Sequence, residues 1–302
     1  MSDQPTTELS LSDVQRDEIL GTIDRDGCAV LPLSLPRDLI ERADAYIEAY
    51  CARCRQRDPR QRFFIETNIV ESDPVFRDFL TFMPALQLSY DVFGPMFHLG
   101  QDTWRAKWHE PDHDDALSDP GSISWHSDGP VWFPQFDGHC PLHSLRFGYF
   151  ISDVLRDDAG SLEVIRGSHR KQVLHARASL RCVREPKRDD DFVTDHVAIR
   201  GEAGTVVVFH NAIWHQASPN KTHRPRKIVF FQYCPTFIRP IHREVPYPGD
   251  MSHFTDEQRW LLAEPREPTA WITGSETEWK RMARFRRDAK DDGFDERGPR
   301  PR

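Results

Sequence analysis

The 302-residue sequence has no apolar run near the roughly 20 residues needed to cross a bilayer. It also lacks a positive balance: 40 Lys and Arg stand against 48 Asp and Glu, a formal net charge of −8. That argues against general affinity for nucleic acid or an anionic membrane surface. The first residues, Met-Ser-Asp-Gln-Pro-Thr-Thr-Glu, lack the basic and apolar regions of a signal peptide, so the cytoplasm is the expected location. Cysteine is sparse. Of six, only Cys51 and Cys54 are close, in Tyr-Cys-Ala-Arg-Cys-Arg on a predicted helix. A zinc site needs a second pair or histidines at ligand spacing, and a thioredoxin-like pair sits just after a strand. Neither pattern is present, and the two read as ordinary reduced thiols. What remains, 38% hydrophobic and 29% charged residues, is the composition of a globular enzyme.

The chain changes character near Gly100. Before it, Val14, Ile19, Leu20 and Ile23 recur at helical spacing after Ser12, a candidate N-cap. Cys28-Ala-Val-Leu-Pro-Leu is a candidate short strand. Pro36 opens a second helix whose buried face carries Leu39, Ile40, Ala43, Tyr46, Ile47 and Tyr50. Residues 73–93 predict a third helix or pair of helices, broken by Pro84 and closed by Gly94-Pro95. After it come short β-like runs between turn residues: 103–108, 122–126, 145–151, 161–165, 196–200, 205–209 and 227–233. Helices first and strands later predict an α+β fold with a mainly β core, an antiparallel sandwich or barrel braced by helices. The expected organisation is one domain over 1–281, with a helical part about 10–98, a β core about 100–240 and an extension 241–281. The charged tail 282–302 is expected to be disordered.

Four residues within that β region carry chemistry. His126 and Asp128 lie in Ile-Ser-Trp-His-Ser-Asp, His215 lies in Ile-Trp-His-Gln-Ala-Ser-Pro-Asn, and Arg226 follows eleven residues later. Two imidazoles and one carboxylate are the donor set that holds non-haem Fe(II) and leaves coordination positions open. Arg226 opens the apolar strand Lys-Ile-Val-Phe-Phe-Gln-Tyr, where a lone buried charge is expensive and demands an anionic partner. The far carboxylate of 2-oxoglutarate would meet that demand through a bidentate contact. Competitors share the His-x-acid spacing: His113 with Asp115 lies in an acidic, loop-like stretch, and His242 with Glu244 in a segment without periodicity. His210, directly after Thr-Val-Val-Val-Phe, competes with His215, and Arg224 with Arg226.

These pieces, with Asp-Asp-Ala-Gly-Ser-Leu-Glu-Val-Ile-Arg-Gly-Ser-His at 157–169 and Gly-Thr-Val-Val-Val-Phe-His at 204–210, resemble the phytanoyl-CoA dioxygenase family over about residues 10–240. The resemblance implies a double-stranded β-helix (jelly roll) and an Fe(II)- and 2-oxoglutarate-dependent dioxygenase. Such an enzyme uses O2 to hydroxylate a small-molecule substrate, with release of succinate and CO2. By it His126, Asp128 and His215 are the catalytic metal ligands, Arg226 binds 2-oxoglutarate, and His169 belongs to a structural turn. The family often places Gly-Ser after the distal histidine; here the order is Gln216-Ala217-Ser218, so Ser218 takes that co-substrate role. Its usual aromatic residue eleven positions before Gly160 is Tyr149, which would line the 2-oxoglutarate and substrate site. Trp-His-Ser-Asp with Trp132 is also similar to the ectoine hydroxylase branch, whose further signature around 129–141 is not reproduced. Trp132 and Phe133 are the substrate-binding candidates, with Trp104 and Trp214 beside them. Lys107 would face the C1 carboxylate of 2-oxoglutarate or an acidic substrate, with a surface position as the alternative. A cupin-type metalloenzyme without 2-oxoglutarate and a non-enzymatic small-molecule-binding barrel are the rival readings. Monomer or homodimer is expected, without nucleic acid or membrane as partner.

Overall fold

In the computed structural model the described residues are 9–109, 125–128, 140–170, 196–243, 249–262, 285, 294–295 and 298–299. Helix α1, Asp13–Asp26, opens as the sequence predicts: the Ser12 hydroxyl accepts from the Gln15 N–H while the Gln15 side chain accepts from the Ser12 N–H. It closes at Gly27, whose φ of +85° suits glycine, and where a Cβ would also meet His169 Nδ1 at 2.7 Å. Strand β1, Cys28–Ser34, leads into α2, Arg37–Arg57, which buries Leu39, Ala43, Ile47 and Cys51 along one face. Both cysteines of this helix are free, and burial pushes the Cys51 thiol up to about 12, which disfavours the reactive thiolate.

Strand β2, Phe63–Thr67, follows unannounced in the sequence, because it is a short edge strand with a mixed pattern. A short helix α3, Ile69–Ser72, precedes the helix or pair of helices expected over 73–93, which is a pair: α4, Val75–Leu80, and α5, Met83–Phe93. Pro84 does not break a helix. It sits in the first turn of α5, where its missing N–H would have had no partner anyway.

The β core has two antiparallel sheets. The larger contains β3, Phe97–Lys107; β4, Leu145–Phe150; β7, Thr205–His210; and β9, Arg226–Pro235. Its order is β1-β7-β4-β9-β3-β2. The smaller pairs β5, Leu162–Ile165, with β6, His196–Ile199, and with β8, His215–Ala217, in the order β6-β5-β8. The two form the expected double-stranded β-helix within an α+β fold. Successive side chains of a strand face opposite sides, so β4 splits cleanly. Leu145, Phe147 and Tyr149 pack outward with helix residues such as Phe79 and Leu86, while Phe150 packs inward with Leu162, Phe209, Ile228 and Phe230. Each such side chain withdrawn from water contributes about 1.5–3 kcal/mol. Lys227 ties β9 to α2 through Asp44 and Glu48, each at 2.5 Å.

One part of the tail departs from the expected disorder. Phe285 is fully buried in the outer core, and its carbonyl accepts from Arg16 at 2.7 Å. Helix α6, Asp256–Leu261, in the extension contributes Trp260 to the same core. Among the described residues no helix is long and apolar enough to cross a membrane.

Candidate metal centre

His126 and His215 are brought together by a single antiparallel bridge. The His126 N–H donates to the His215 carbonyl at 3.0 Å and the His215 N–H donates back at 2.8 Å. Residues paired in this way put their side chains on the same face, so the two imidazoles lie side by side with ring centres 4.2 Å apart. Asp128, in the bend two positions beyond His126, brings its carboxylate to the same pair. One ligand atom from each of the three lies within 4.8 Å of the others, and among the described residues this is the one such group. Asp128 stands 4.0 Å from His126 Nε2 and 3.7 Å from His215 Nε2.

The electrostatics suit a divalent cation. Burial would raise the Asp128 carboxyl, but Arg146 first, then His215, His126 and Arg105, outweigh it and hold the group below the ordinary carboxylate range. Burial pushes the His215 imidazole down to about 3, leaving it neutral, the form that ligates metals. Its Nδ1 lies 3.0 Å from the Ile213 carbonyl and donates there, which turns Nε2 toward Asp128.

The cavity at this centre is lined by His126, His215, Arg105, Arg146, Arg226, Phe230 and the adjoining strand residues. Arg226 is buried, its Nε has no partner among the described residues, and burial first, then Arg105, pushes the guanidinium down to about 9. Asn220 shapes the turn that delivers it, donating to the Lys107 and Arg224 carbonyls at 2.9 and 2.8 Å. Gly160 packs against it with a φ of +73°, and an added Cβ would meet Arg226 Cβ at 3.3 Å. Gly160→Ala is therefore expected to lower stability by about 1–2 kcal/mol, the cost of a left-handed L-residue. Thermal unfolding checks this, and an unchanged midpoint contradicts it.

Several expectations need correction. Tyr149 faces the helices, edge-on to Phe79 and Phe82, because it alternates with the inward-facing residues Gly148 and Phe150. Ser218 is turned away as well: its hydroxyl donates to the Asp157 carbonyl at 2.6 Å, and Ala217 lines the cavity instead. Trp104 lies on the outer face, its Nε1 donating to Glu66 at 2.7 Å, and Trp214 packs with Ile165. Lys107 is not a surface lysine. It is 2% exposed and stands opposite Arg226 in the β3–β9 register, on the inward face. Trp132, Phe133, His113, Asp115 and Glu244 lie outside the described residues. Among the competitors, His210 accepts from the Ala212 N–H in its own turn, and His242 is exposed with a φ of +67°. His169 occupies the expected turn, with Nε2 3.0 Å from the Asp24 carbonyl.

The profile of the phytanoyl-CoA dioxygenase (PhyH) family matches residues 23–228, a span that holds the three candidate ligands and Arg226. The chain belongs to the phytanoyl-CoA dioxygenase family. The L-proline trans-4-hydroxylase of Streptomyces griseoviridis is 30% identical over 138 residues, 39% of this chain and half the length of that relative. Two solved structures share the fold. HygX from Streptomyces hygroscopicus, with nickel and 2-oxoglutarate bound, has a TM-score of 0.56 at 16% identity, over 80% of this chain and 95% of its own. AviO1 from Streptomyces viridochromogenes Tue57 has a TM-score of 0.53 at 20% identity, over 76% and 99%.

Two residues of this family member escaped the sequence reading. Arg146 on β4 meets Asp128 at 2.6 Å and also donates to the Gln101 and Gln232 side chains. Arg105 on β3 lines the same cavity. The signal was present in both cases, since each is an arginine inside an apolar strand, the feature that singled out Arg226.

Proposed function

We propose that the chain is an Fe(II)- and 2-oxoglutarate-dependent dioxygenase that hydroxylates an unactivated C–H bond of a small molecule, releasing succinate and CO2. The observation that carries this is the gathering of His126, Asp128 and His215 on one inward face beside the buried guanidinium of Arg226. The donor set fits Fe(II): two imidazoles and one ionised carboxylate leave the remaining positions open. Iron with 2-oxoglutarate and O2 supplies the oxidant, and the chain supplies orientation and charge.

Each residue has a defined task. His126 and His215 present Nε2 atoms, and Arg146 holds the Asp128 carboxylate in one orientation as an anion. Arg226 offers a planar fork to the far carboxylate of 2-oxoglutarate, gaining the partner that its burial demands. Lys107 stands beside it on the same face. Phe230, Phe209 and Leu162 supply apolar wall to the cavity, which strengthens each charge contact beside it. A cytoplasmic location and a monomeric or homodimeric state belong to the same proposal.

The test is an anaerobic titration of the metal-free protein with Fe(II) and 2-oxoglutarate, followed by visible absorption. A weak charge-transfer band that needs both additions is the expected result. Metal binding without any such band would favour the cupin-type rival.

A further inference from the structure

Three guanidiniums surround one aromatic ring beside the metal ligands. The terminal carbons of Arg105, Arg146 and Arg226 lie 5.7, 5.8 and 5.9 Å from the centre of the Phe230 ring. Arg146 is paired with Asp128 and bonded to Gln101 and Gln232. Arg226 is the co-substrate clamp of the reading above. Arg105 has no such partner: among the described residues it makes no hydrogen bond or ion pair, and its Nε is buried without an acceptor. We propose that Arg105 anchors a carboxylate of the substrate next to the metal, so that the enzyme acts on a small carboxylic acid.

The inference rests on the dioxygenase reading and names its substrate class. Charge balance supports it. Among the described residues the cavity and the metal ligands carry three guanidiniums against the one carboxylate of Asp128. The two positive charges of ferrous iron and the two negative charges of 2-oxoglutarate cancel, so the loaded site keeps a positive excess. A neutral substrate leaves that excess uncompensated among buried side chains, and a cationic one makes it worse. Contact with Phe230 does not substitute for an anion, because one ring is shared among three cations at the outer limit of cation–π range. The position is also suitable. Arg105 pairs with Ile228 in the register and shares the inward face of β3 with Lys107, so its side chain enters the cavity from a rigid strand. A flat guanidinium matches a flat carboxylate through two parallel hydrogen bonds. Burial first, then Arg146, pushes the Arg105 guanidinium down to about 10, so it stays charged at neutral pH.

The experiment uses the full chain loaded anaerobically with Fe(II) and 2-oxoglutarate, as wild type, Arg105→Leu and Arg105→Lys. Probes are acetate, phenylacetate and L-proline, each against its neutral amide, with thermal unfolding and the charge-transfer band as readouts. At least one carboxylate should raise the wild-type midpoint while its amide does not, and Arg105→Leu should lose the difference. The band should form at unchanged 2-oxoglutarate in that variant. Without ligands Arg105→Leu should unfold at a higher temperature than wild type, since an uncompensated charge has gone. Arg105→Lys keeps the charge without the fork and should show a smaller carboxylate shift, which preserves the test if the leucine variant does not fold. Equal shifts in wild type and Arg105→Leu, or no preference for carboxylate over amide, would overturn the assignment. A band that needs much more 2-oxoglutarate in Arg105→Leu would overturn it too, by giving Arg105 to the co-substrate. A wild-type protein with no band at all would instead defeat the dioxygenase reading itself.

Discussion

Asp128→Ala is expected to reduce succinate formation by at least about a thousand-fold, the loss that corresponds to roughly 4 kcal/mol of barrier. Two physical effects combine. The metal site loses its one anionic ligand and keeps two imidazoles, and Arg146 loses the partner it holds at 2.6 Å. Arg146 is 5% exposed, so its guanidinium would be left buried with no carboxylate, a situation that destabilises by about 3–5 kcal/mol. The two effects separate in a cycle. Arg146→Met on the Asp128→Ala background should recover most of the lost stability and none of the activity. Calorimetric titration with Ni(II) should show weaker binding in both variants. Wild-type rates in Asp128→Ala would remove the carboxylate from the chemistry and with it the proposed function.

Arg226→Met should produce opposite signs in the empty and loaded protein. Without ligands, a buried cation with an unpartnered Nε is replaced by an apolar side chain of similar length, and the unfolding midpoint should rise. With 2-oxoglutarate, the variant leaves the far carboxylate without its clamp. Truncating one member of a buried, hydrogen-bonded charge pair costs about 2–5 kcal/mol, so the concentration giving half the charge-transfer band should increase about a hundred-fold. The band itself should survive at saturating 2-oxoglutarate, because the chelating end of the co-substrate is untouched. An unchanged half-saturation point would sink the role given to Arg226. A lowered midpoint in the ligand-free variant would mean that the guanidinium has a structural partner outside the described residues.

The sequence by itself determined the parts of this protein that depend on local pattern. Ser12 and Gln15 cap α1 because the cap needs only residues three apart. The apolar runs at 145–151, 205–209 and 227–233 became strands because their hydrophobicity exceeds what a loop can leave in water. His126 and Asp128 were legible as a pair from their two-residue spacing, and Arg226 announced itself as a charge in an apolar strand. Tertiary structure decided the rest, through pairing register, which a single residue of slip would invert for a whole strand. Tyr149 satisfied the family pattern but sits one position out of phase with the inward face of β4, so it packs on the helices. Ser218 follows Ala217 by one residue and so turns from the cavity to the Asp157 carbonyl. Lys107 is buried because β3 lies between β9 and β2, a neighbour relation set by long-range pairing. Arg105 and Arg146 lie forty-one positions apart, and only the strand order β4-β9-β3 brings both to the Phe230 ring beside the metal ligands.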